Sequence, residues 1–257
     1  KNCYGRGIKF NGTGFKMSNT HIHDTDGVDN NNVAGLEFGA TDVEVYDCIF
    51  NDNYDRVCED TGGSATHNSA NVVLFSCAGD IIFHDCEFYQ TLPISDSKSG
   101  GGLKYKHASQ SPTATFQVYN CTFDNHKFFH FGTGTANTHF HHNLITGGAA
   151  SISNKDWGGT THQTDQLFEY NTIYGTNAYS MSPTDNWVNG DFPDDPTGIV
   201  YRNNIAYDID TSYGSEDATI SIGTYMTDSI YSQCVAAHTF SNNCYYNPNT
   251  ACKFNFA

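Results

Sequence analysis

The stretch of sequence that decides the fold is Val43-Glu44-Val45-Tyr46-Asp47-Cys48-Ile49-Phe50. Two apolar positions alternate, a polar residue follows, and then come Cys or Asn, any residue, and an apolar or aromatic residue. Variants of this pattern recur at 15–22, 81–88, 116–123, 138–145, 166–173, 199–206 and 239–246. A unit this small cannot bury its own apolar face, so the pattern predicts repeats that stack on one another.

A second short apolar stretch precedes nearly every copy of the pattern. These stretches are 35–39, 72–75, 103–106, 128–131, 151–153, 179–182 and 220–222. Each repeat therefore contains at least two short strands, and the abundant Gly, Asn, Asp, Ser and Thr suit the turns between them. We expect an all-β chain that folds as a single-stranded right-handed parallel β-helix, or solenoid, of about eight coils. It is expected to form one domain over residues 1–257, as a segment of a longer protein.

The Cys or Asn position of the pattern coincides in successive copies. Strands in a sheet lie about 4.8 Å apart, so equal positions of stacked repeats form ladders. The residues at this position are Thr20, Cys48, Cys86, Cys121, Asn143, Asn171 and Asn204. We interpret the three cysteines as buried small side chains rather than as disulfide or metal ligands, because Cys is among the most buried residues. Cys234, Cys244 and Cys252 are the better disulfide candidates.

Composition limits the partners. The chain has 28 Asp and Glu against 12 Lys and Arg, which gives a net charge of −16. This charge argues against nucleic acid and against an anionic membrane surface as partners. No apolar run is long enough to span a bilayer. Nine cysteines favour an oxidising, extracellular setting for a secreted protein, and we expect the domain to be monomeric.

Side chains that point away from the core form polar rows along the stack, a shape that suits a linear polymer. We predict that five of them bind substrate, because aromatic and imidazole rings offer flat surfaces to sugars and polar atoms to hydroxyls. These five are His84, Tyr119, His141, Glu169 and Arg202.

The glycine-rich stretch Gly100 to His107 contains the strongest catalytic candidate. Leu103 and Tyr105 alternate with Lys104 and Lys106, so the two lysines lie on one face of the strand. Mutual repulsion favours the neutral amine of one of them, and a neutral lysine can act as a general base. We predict Lys104 as the base, Lys106 as its closest competitor, and His130, His107 or Tyr105 as proton donors.

An acidic turn precedes this stretch at Asn51 to Asp60. Asp52, Asp55, Glu59 and Asp60 supply the hard oxygens that Ca²⁺ prefers, although Asp also occurs in turns for conformational reasons. The spacing does not match an EF-hand.

The order of these features resembles the family 9 polysaccharide lyases, which are calcium-dependent pectate lyases of β-helix fold. The resemblance covers roughly residues 35–150: an acidic turn, the next coil from Val72 to Phe88, and a glycine turn that leads to Lys104. It implies that Lys104 abstracts the proton α to a uronate carboxyl, and that Asp55, Glu59 and Asp60 hold calcium. Leu103 replaces the usual aromatic residue, Lys106 is additional, and the family's adjacent acidic pair is not reproduced.

Our leading hypothesis is a secreted lyase that cleaves an anionic, uronate-containing polysaccharide by β-elimination. A glycoside hydrolase or tailspike-like depolymerase on the same fold would need paired carboxylates, for which Glu169 or Glu37 with a nearby Asp are candidates. A structural, adhesive or glycan-binding β-helix without catalytic activity is the non-enzymatic alternative.

Overall fold

The computed structural model describes residues 3–26, 33–54, 70–75, 77–91, 101–106, 113–126, 130–131, 137–148, 152–154, 164–175, 181–182, 197–209, 220–222, 236, 238–248 and 254–256. This part of the chain is built almost entirely of β-strands, and every strand pair in it is parallel. The expectation of an all-β chain with parallel strands is confirmed.

Each repeat after the first two contributes three strands, and each strand pairs with its equivalents in the neighbouring repeats. The strands nearest the start of each repeat form the first branch of a 15-stranded sheet: β7 (Ala70–Phe75), β10 (Gly101–Lys106), β13 (His130–Phe131), β16 (Ile152–Asn154), β19 (Met181–Ser182), β22 (Ile220–Ile222) and β25 (Phe254–Phe256). The next strands form its second branch: β8 (Ala78–His84), β11 (Phe116–Tyr119), β14 (Thr138–His141), β17 (Thr164–Glu169), β20 (Thr197–Arg202) and β23 (His238–Ser241).

The last strands of the repeats form a separate sheet of eight strands. Its members are β3 (His21–His23), β6 (Ile49–Asn51), β9 (Glu87–Tyr89), β12 (Thr122–Asp124), β15 (Leu144–Thr146), β18 (Thr172–Tyr174), β21 (Ile205–Tyr207) and β24 (Cys244–Tyr246). We number the repeats 1 to 8 by these strands.

The two branches of the larger sheet are continuous in the first two repeats. There β2 (Arg6–Ser18) and β5 (Ala34–Tyr46) each run through both branches, and β5 pairs with β7 through its first half and with β8 through its second half. A small sheet of β1 (Cys3–Tyr4) and β4 (Thr25–Asp26) lies beside them.

The eight-residue pattern bends in its middle, which the sequence did not predict. A two-residue turn separates the second-branch strand from the third-sheet strand in every repeat. The first residue of this turn has a positive φ throughout, and Asn or Asp, which tolerate that conformation, occupy it in most repeats. These turn residues are Asn19, Asp47, Asp85, Asn120, His142, Tyr170, Asn203 and Asn242.

The second turn residue points into the core and confirms the predicted ladder. Asn143, Asn171 and Asn204 are each at most 2% exposed, and the side-chain amide of each donates to the amide oxygen of the next rung at 3.0–3.1 Å. Cys48, Cys86 and Cys121 occupy the same position as free, buried thiols. The cysteines therefore serve packing, as we predicted.

Cys244 is also a free thiol, and it is exposed on β24. The other two disulfide candidates, Cys234 and Cys252, lie outside the described residues. All five cysteines whose side chains the structure describes are free thiols.

One apolar core joins both sheets. Phe83 of the second branch packs against Phe88 of the third sheet, and Phe140 packs against Phe123, with ring centroids 6.4 and 5.9 Å apart. Equivalent residues also stack between repeats, as in Phe50, Phe88 and Phe123. No helix in the described part of the chain has the length and apolar character needed to cross a membrane.

Candidate functional site

The outward row of the first branch passes through the predicted base. Lys9, Glu37, Val73, Lys104 and His130 occupy consecutive rungs of this row. Alternation on β10 places Leu103 and Tyr105 on the opposite face, in the core. Lys104 therefore lies near the middle of the stack and points away from the apolar core, as the sequence indicated.

The side chain of Lys104 is nevertheless buried. Lys104 is 2% exposed, and the outward residues of the two preceding rungs, Val73 and Glu37, are 0% and 3% exposed. We had expected an open polar row, so the outward face of the first branch differs from the prediction in this region. Alternation determines the side to which a residue points, but it does not determine whether that side is covered.

Three other predicted catalytic residues have a more limited description. Lys106 is the last residue of β10, and His130 pairs with Lys104 in the β10–β13 ladder. The side chains of both lie outside the described part of the structure, as does all of His107. Equivalent positions on paired strands lie about 4.8 Å apart, so the ladder brings the backbones of Lys104 and His130 together.

Tyr105 is excluded as a proton donor to substrate. It points into the core, is 0% exposed, and donates a hydrogen bond from its hydroxyl to the carbonyl of Cys77 at 3.1 Å. Burial raises the pKa of the phenol well above its ordinary value. Tyr105 is a core residue on the face opposite Lys104.

The strands of the first branch are basic in an acidic protein. Arg6, Lys9, Lys104 and Lys106 lie on them, whereas Glu37 is the one acidic residue in residues 6–12, 34–40 and the later strands of this branch. Arg6 donates to one carboxylate oxygen of Glu37, and the amine of Lys9 lies 2.9 Å from the other. The four cations and one anion give this branch a positive balance against a net charge of −16 for the whole chain.

The long connections of the chain all adjoin the first branch. The connection from the second branch to the third sheet is two residues in every repeat, whereas the segments that enter or leave the first branch reach 18 residues at 52–69 and 15 at 223–237. Long connections often carry the binding residues of a protein. Lys104 lies between two of them, residues 90–100 and 107–115.

A column of stacked rings runs along the outward face of the second branch. Tyr46, His84, Tyr119 and His141 follow one another in register, with ring centroids 5.0–5.2 Å apart and interplanar angles of 3–9°. Each inner ring is therefore sandwiched between two others. Both faces of His84 and Tyr119 are occupied by neighbouring rings, so these two side chains offer a sugar only their edges.

The column ends at a buried carboxylate. Glu169 follows His141 in register, is 7% exposed, and accepts hydrogen bonds from Arg202 Nε at 2.7 Å and His139 Nε2 at 3.0 Å. Burial raises the pKa of Glu169, but the bonds from Arg202 and His139 outweigh that effect and lower its pKa below the ordinary value. Glu169 is thus an ionised carboxylate held by two partners.

His141 also resists protonation, but its unprotonated form is the neutral imidazole. Burial, together with the nearby imidazoles of His139 and His142, lowers its pKa to about 4. Its Nδ1 lies 2.8 Å from Nδ1 of His142, whose ring in turn stacks on Tyr170 at 5.1 Å. The five predicted substrate-binding residues therefore form one continuous row, which lies on the second branch and not on the branch that carries Lys104.

Asp52, the described member of the predicted calcium site, does not fit that role. One of its oxygens accepts the backbone N–H of Thr91 at 2.8 Å, and the other accepts from the Thr91 hydroxyl and the Asn51 amide at 2.8 and 2.7 Å. Its φ of 54° is that of a turn residue. Asp55, Glu59 and Asp60 lie outside the described residues, and within the described ranges no three His, Cys, Asp or Glu side chains could hold a metal ion.

Sequence reasoning did not identify His142, Tyr170 or the pair of Lys16 and Glu44 as part of these surfaces. Lys16 Nζ lies 2.8 Å from Glu44 and 5.2 Å above the ring of Tyr46, so it closes the aromatic column at its N-terminal end. The alignment of the repeats could have predicted this pair, because it puts Lys16 opposite Glu44 and Ser18 opposite Tyr46.

Comparison with known proteins gave no match to a family model, a curated protein or a solved structure.

Proposed function

We propose that this chain is a polysaccharide lyase that cleaves a uronate-containing polymer by β-elimination, with Lys104 as the base. We infer further that the three strand ladders close into a right-handed parallel β-helix of eight coils. Pairing of each strand with the third strand after it supports the closure, and the handedness of parallel crossovers supports the hand.

The burial of Lys104 is the observation that carries the proposal. Lysine is rarely fully buried, and buried ionisable groups are frequent at functional sites. Lys104 also lies near the middle of the stack of repeats. It belongs to the branch whose strands carry more cations than anions, and it lies between two long connections.

The proposed reaction needs one base and one proton donor. The neutral amine of Lys104 takes the proton on C5, α to the uronate carboxyl, the electron pair forms the C4–C5 double bond, and the glycosidic C4–O bond breaks. The leaving oxygen receives a proton from a donor, for which His130 is the candidate in the adjacent rung. Nearby cations stabilise the substrate carboxylate. We assign no step to calcium, because the carboxylate oxygens of Asp52 already accept hydrogen bonds from Thr91 and Asn51.

Replacement of Lys104 by methionine tests the proposal. Lys104→Met keeps the length and buried volume of the side chain and removes the amine, so we expect the rate of unsaturated product formation to fall by about 10²-fold or more. The measurement is ultraviolet absorbance of the new double bond on a panel of uronate polymers. Lys16→Met is the matched control, since Lys16 lies on the second branch beside Glu44, and we expect its rate to be unchanged.

Lys104→Arg separates catalysis from a structural ion pair. Arginine keeps the positive charge but does not become a neutral base at working pH. A purely structural lysine would be replaced by arginine without loss of activity, and that result would overturn the assignment of the base.

The hydrolase alternative has less support. Glu37 is paired with Arg6 and Lys9, and Glu169 with Arg202 and His139, so neither candidate carboxyl is placed to donate a proton. Polymer binding without any cleavage would instead favour a glycan-binding module.

A further inference from the structure

The exposed apolar side chains of the described residues collect on one part of the third sheet. Seven large apolar residues are exposed in the described ranges, and all but Ile8 belong to repeats 5–8 on the third sheet or the turn that precedes it. These six are Leu144 at 40%, Tyr170 at 50%, Tyr174 at 47%, Ile205 at 49%, Tyr207 at 39% and Tyr246 at 53%. We call them the tyrosine strip.

Five of the six residues lie in two adjacent rows of the third sheet, and Tyr170 lies in the turn beside His142. Tyr174, Tyr207 and Tyr246 occupy one outward row with centroids 5.4 and 5.2 Å apart, and the adjacent row carries Leu144, Thr172, Ile205 and Cys244. Neither row carries a charged residue in repeats 5–8. A surface without charges offers no complementarity to an anionic polymer or to a strongly cationic protein.

The stacking geometry also argues against a sugar as the occupant. Tyr207 is stacked on Tyr174 and Tyr246 at interplanar angles of 22° and 19°, so both of its faces are covered by other rings. The strip presents ring edges, hydroxyls and aliphatic groups, which is a surface that packs against another protein rather than against the face of a sugar ring.

We propose that the tyrosine strip is the contact surface for a second copy of this chain. At about 200 Å² for a whole tyrosine, the exposed fractions of the six residues sum to roughly 500 Å², which is close to the share of one partner in a standard interface once a polar rim is added. A two-fold axis perpendicular to the strip near Tyr207 places Tyr174 of one copy opposite Tyr246 of the other, as in an isologous interface. Such a dimer replaces the monomer expected from the sequence.

Sedimentation equilibrium of the whole chain at two salt concentrations tests the dimer. Two copies that each carry a charge of −16 repel one another, and salt screens this repulsion, so we expect the dimer to tighten as salt is raised. A dimer that weakens as salt is raised would be held together by charged residues, and that result would contradict the strip as the contact. A chain that stays monomeric into the sub-millimolar range at high salt would overturn the proposal.

A matched pair of variants locates the contact. Ile205→Lys places like charges near the two-fold axis, and we expect the dimer dissociation constant to rise at least about tenfold. Thr239→Lys adds the same charge at an exposed outward position of the second branch and leaves it unchanged. Equal dimerisation of both variants would place the interface elsewhere, and circular dichroism confirms that both are folded. The inference does not depend on the proposed lyase, because Ile205→Lys is expected to keep the activity of the unaltered chain.

Discussion

Repeats 2–4 and repeats 5–7 have different side chains at the same core position. Comparing them separates a side chain that only fills space from one that hydrogen-bonds one repeat to the next. Cys48, Cys86 and Cys121 occupy it in the first group, and Asn143, Asn171 and Asn204 in the second. The surrounding strands are paired identically, and the next backbone N–H in each repeat bonds to the rung before it at 2.8–2.9 Å. The side chain alone distinguishes the two groups.

The thiols bond mainly within their own repeat. Cys48, Cys86 and Cys121 each direct their sulfur to the carbonyl two residues earlier, at 3.1, 3.2 and 3.3 Å. Contact with the thiol of the next repeat, together with burial, raises the pKa of Cys48 and Cys86 far above the ordinary value, so these thiols stay protonated. A thiol is a weak donor, and its contribution here is the apolar volume that it fills.

The amides link one repeat to the next. Asn171 accepts both the backbone N–H and the side-chain amide of Asn143 at 3.0 and 3.1 Å, and it donates to Asn204 and to the carbonyl of Phe140. A buried polar group is stabilising only when its bonds are complete, and here they are complete because the rungs repeat. Each asparagine is therefore needed to complete the hydrogen bonds of its neighbours, whereas each thiol is not.

Removal of one amide from the ladder should have the largest effect. Asn171→Ala removes four side-chain hydrogen bonds, two from Asn143, one to Asn204 and one to the Phe140 carbonyl, and we expect a loss of about 4 kcal/mol in the free energy of unfolding. Urea titration measures it. Thr172→Ala, which removes the neighbouring outward side chain, is the control and should cost less than about 0.5 kcal/mol.

Removal of one thiol should cost much less. Cys86→Ala leaves a small cavity and no strong donor or acceptor without a partner, so we expect a loss of about 1 kcal/mol by the same titration. If Cys86→Ala and Asn171→Ala proved equally destabilising, the thiols would also link the repeats, and the contrast between the two groups would fail.

The core position could be predicted from sequence because it depends only on period and alternation. The aligned octapeptides were enough to place Cys86 and Asn171 on one ladder, and the structure agrees. The bend inside the octapeptide was missed because its marker is a φ value. Asp47 and Asp85 suggest such a turn, but His142 and Tyr170 adopt the same conformation without suggesting it.

The candidate site could be predicted only in part. The sequence predicts that Lys104 points away from the core, but its burial depends on what lies over the first branch, which alternation does not report. In the same way, register puts His84 and Tyr119 in one row, but only the ring planes show that their faces are already occupied. Both differences depend on what packs against the outward face of the sheet. This packing leaves no periodic pattern in the sequence from which it could be predicted.

The smallest expected effect concerns pH and falls on the outward surface of repeat 5. His141 has a pKa of about 4 in the folded chain against about 6.5 when unfolded, so the unfolded state takes up a proton first as the pH falls. The fold therefore loses stability between pH 6.5 and 4 through this residue. Glu169, whose pKa is lowered, stabilises the fold above its unfolded pKa of about 4.3 and loses that contribution only below it. The two groups act in separate pH ranges.

His141→Asn removes the first of these effects and leaves the second. Since His141 is partly exposed, we expect the variant to recover about 1 kcal/mol of the stability lost between pH 6.5 and 4, measured as the shift of the urea midpoint with pH. Below pH 4 both proteins should lose stability together, because the pair of Glu169 and Arg202 is intact in each. A variant whose stability falls as steeply as that of the unaltered chain above pH 4 would show that His141 is protonated in the folded state. The Cys86 thiol has a pKa far above this range, so the same scan of Cys86→Ala should run parallel to the unaltered chain over the whole range.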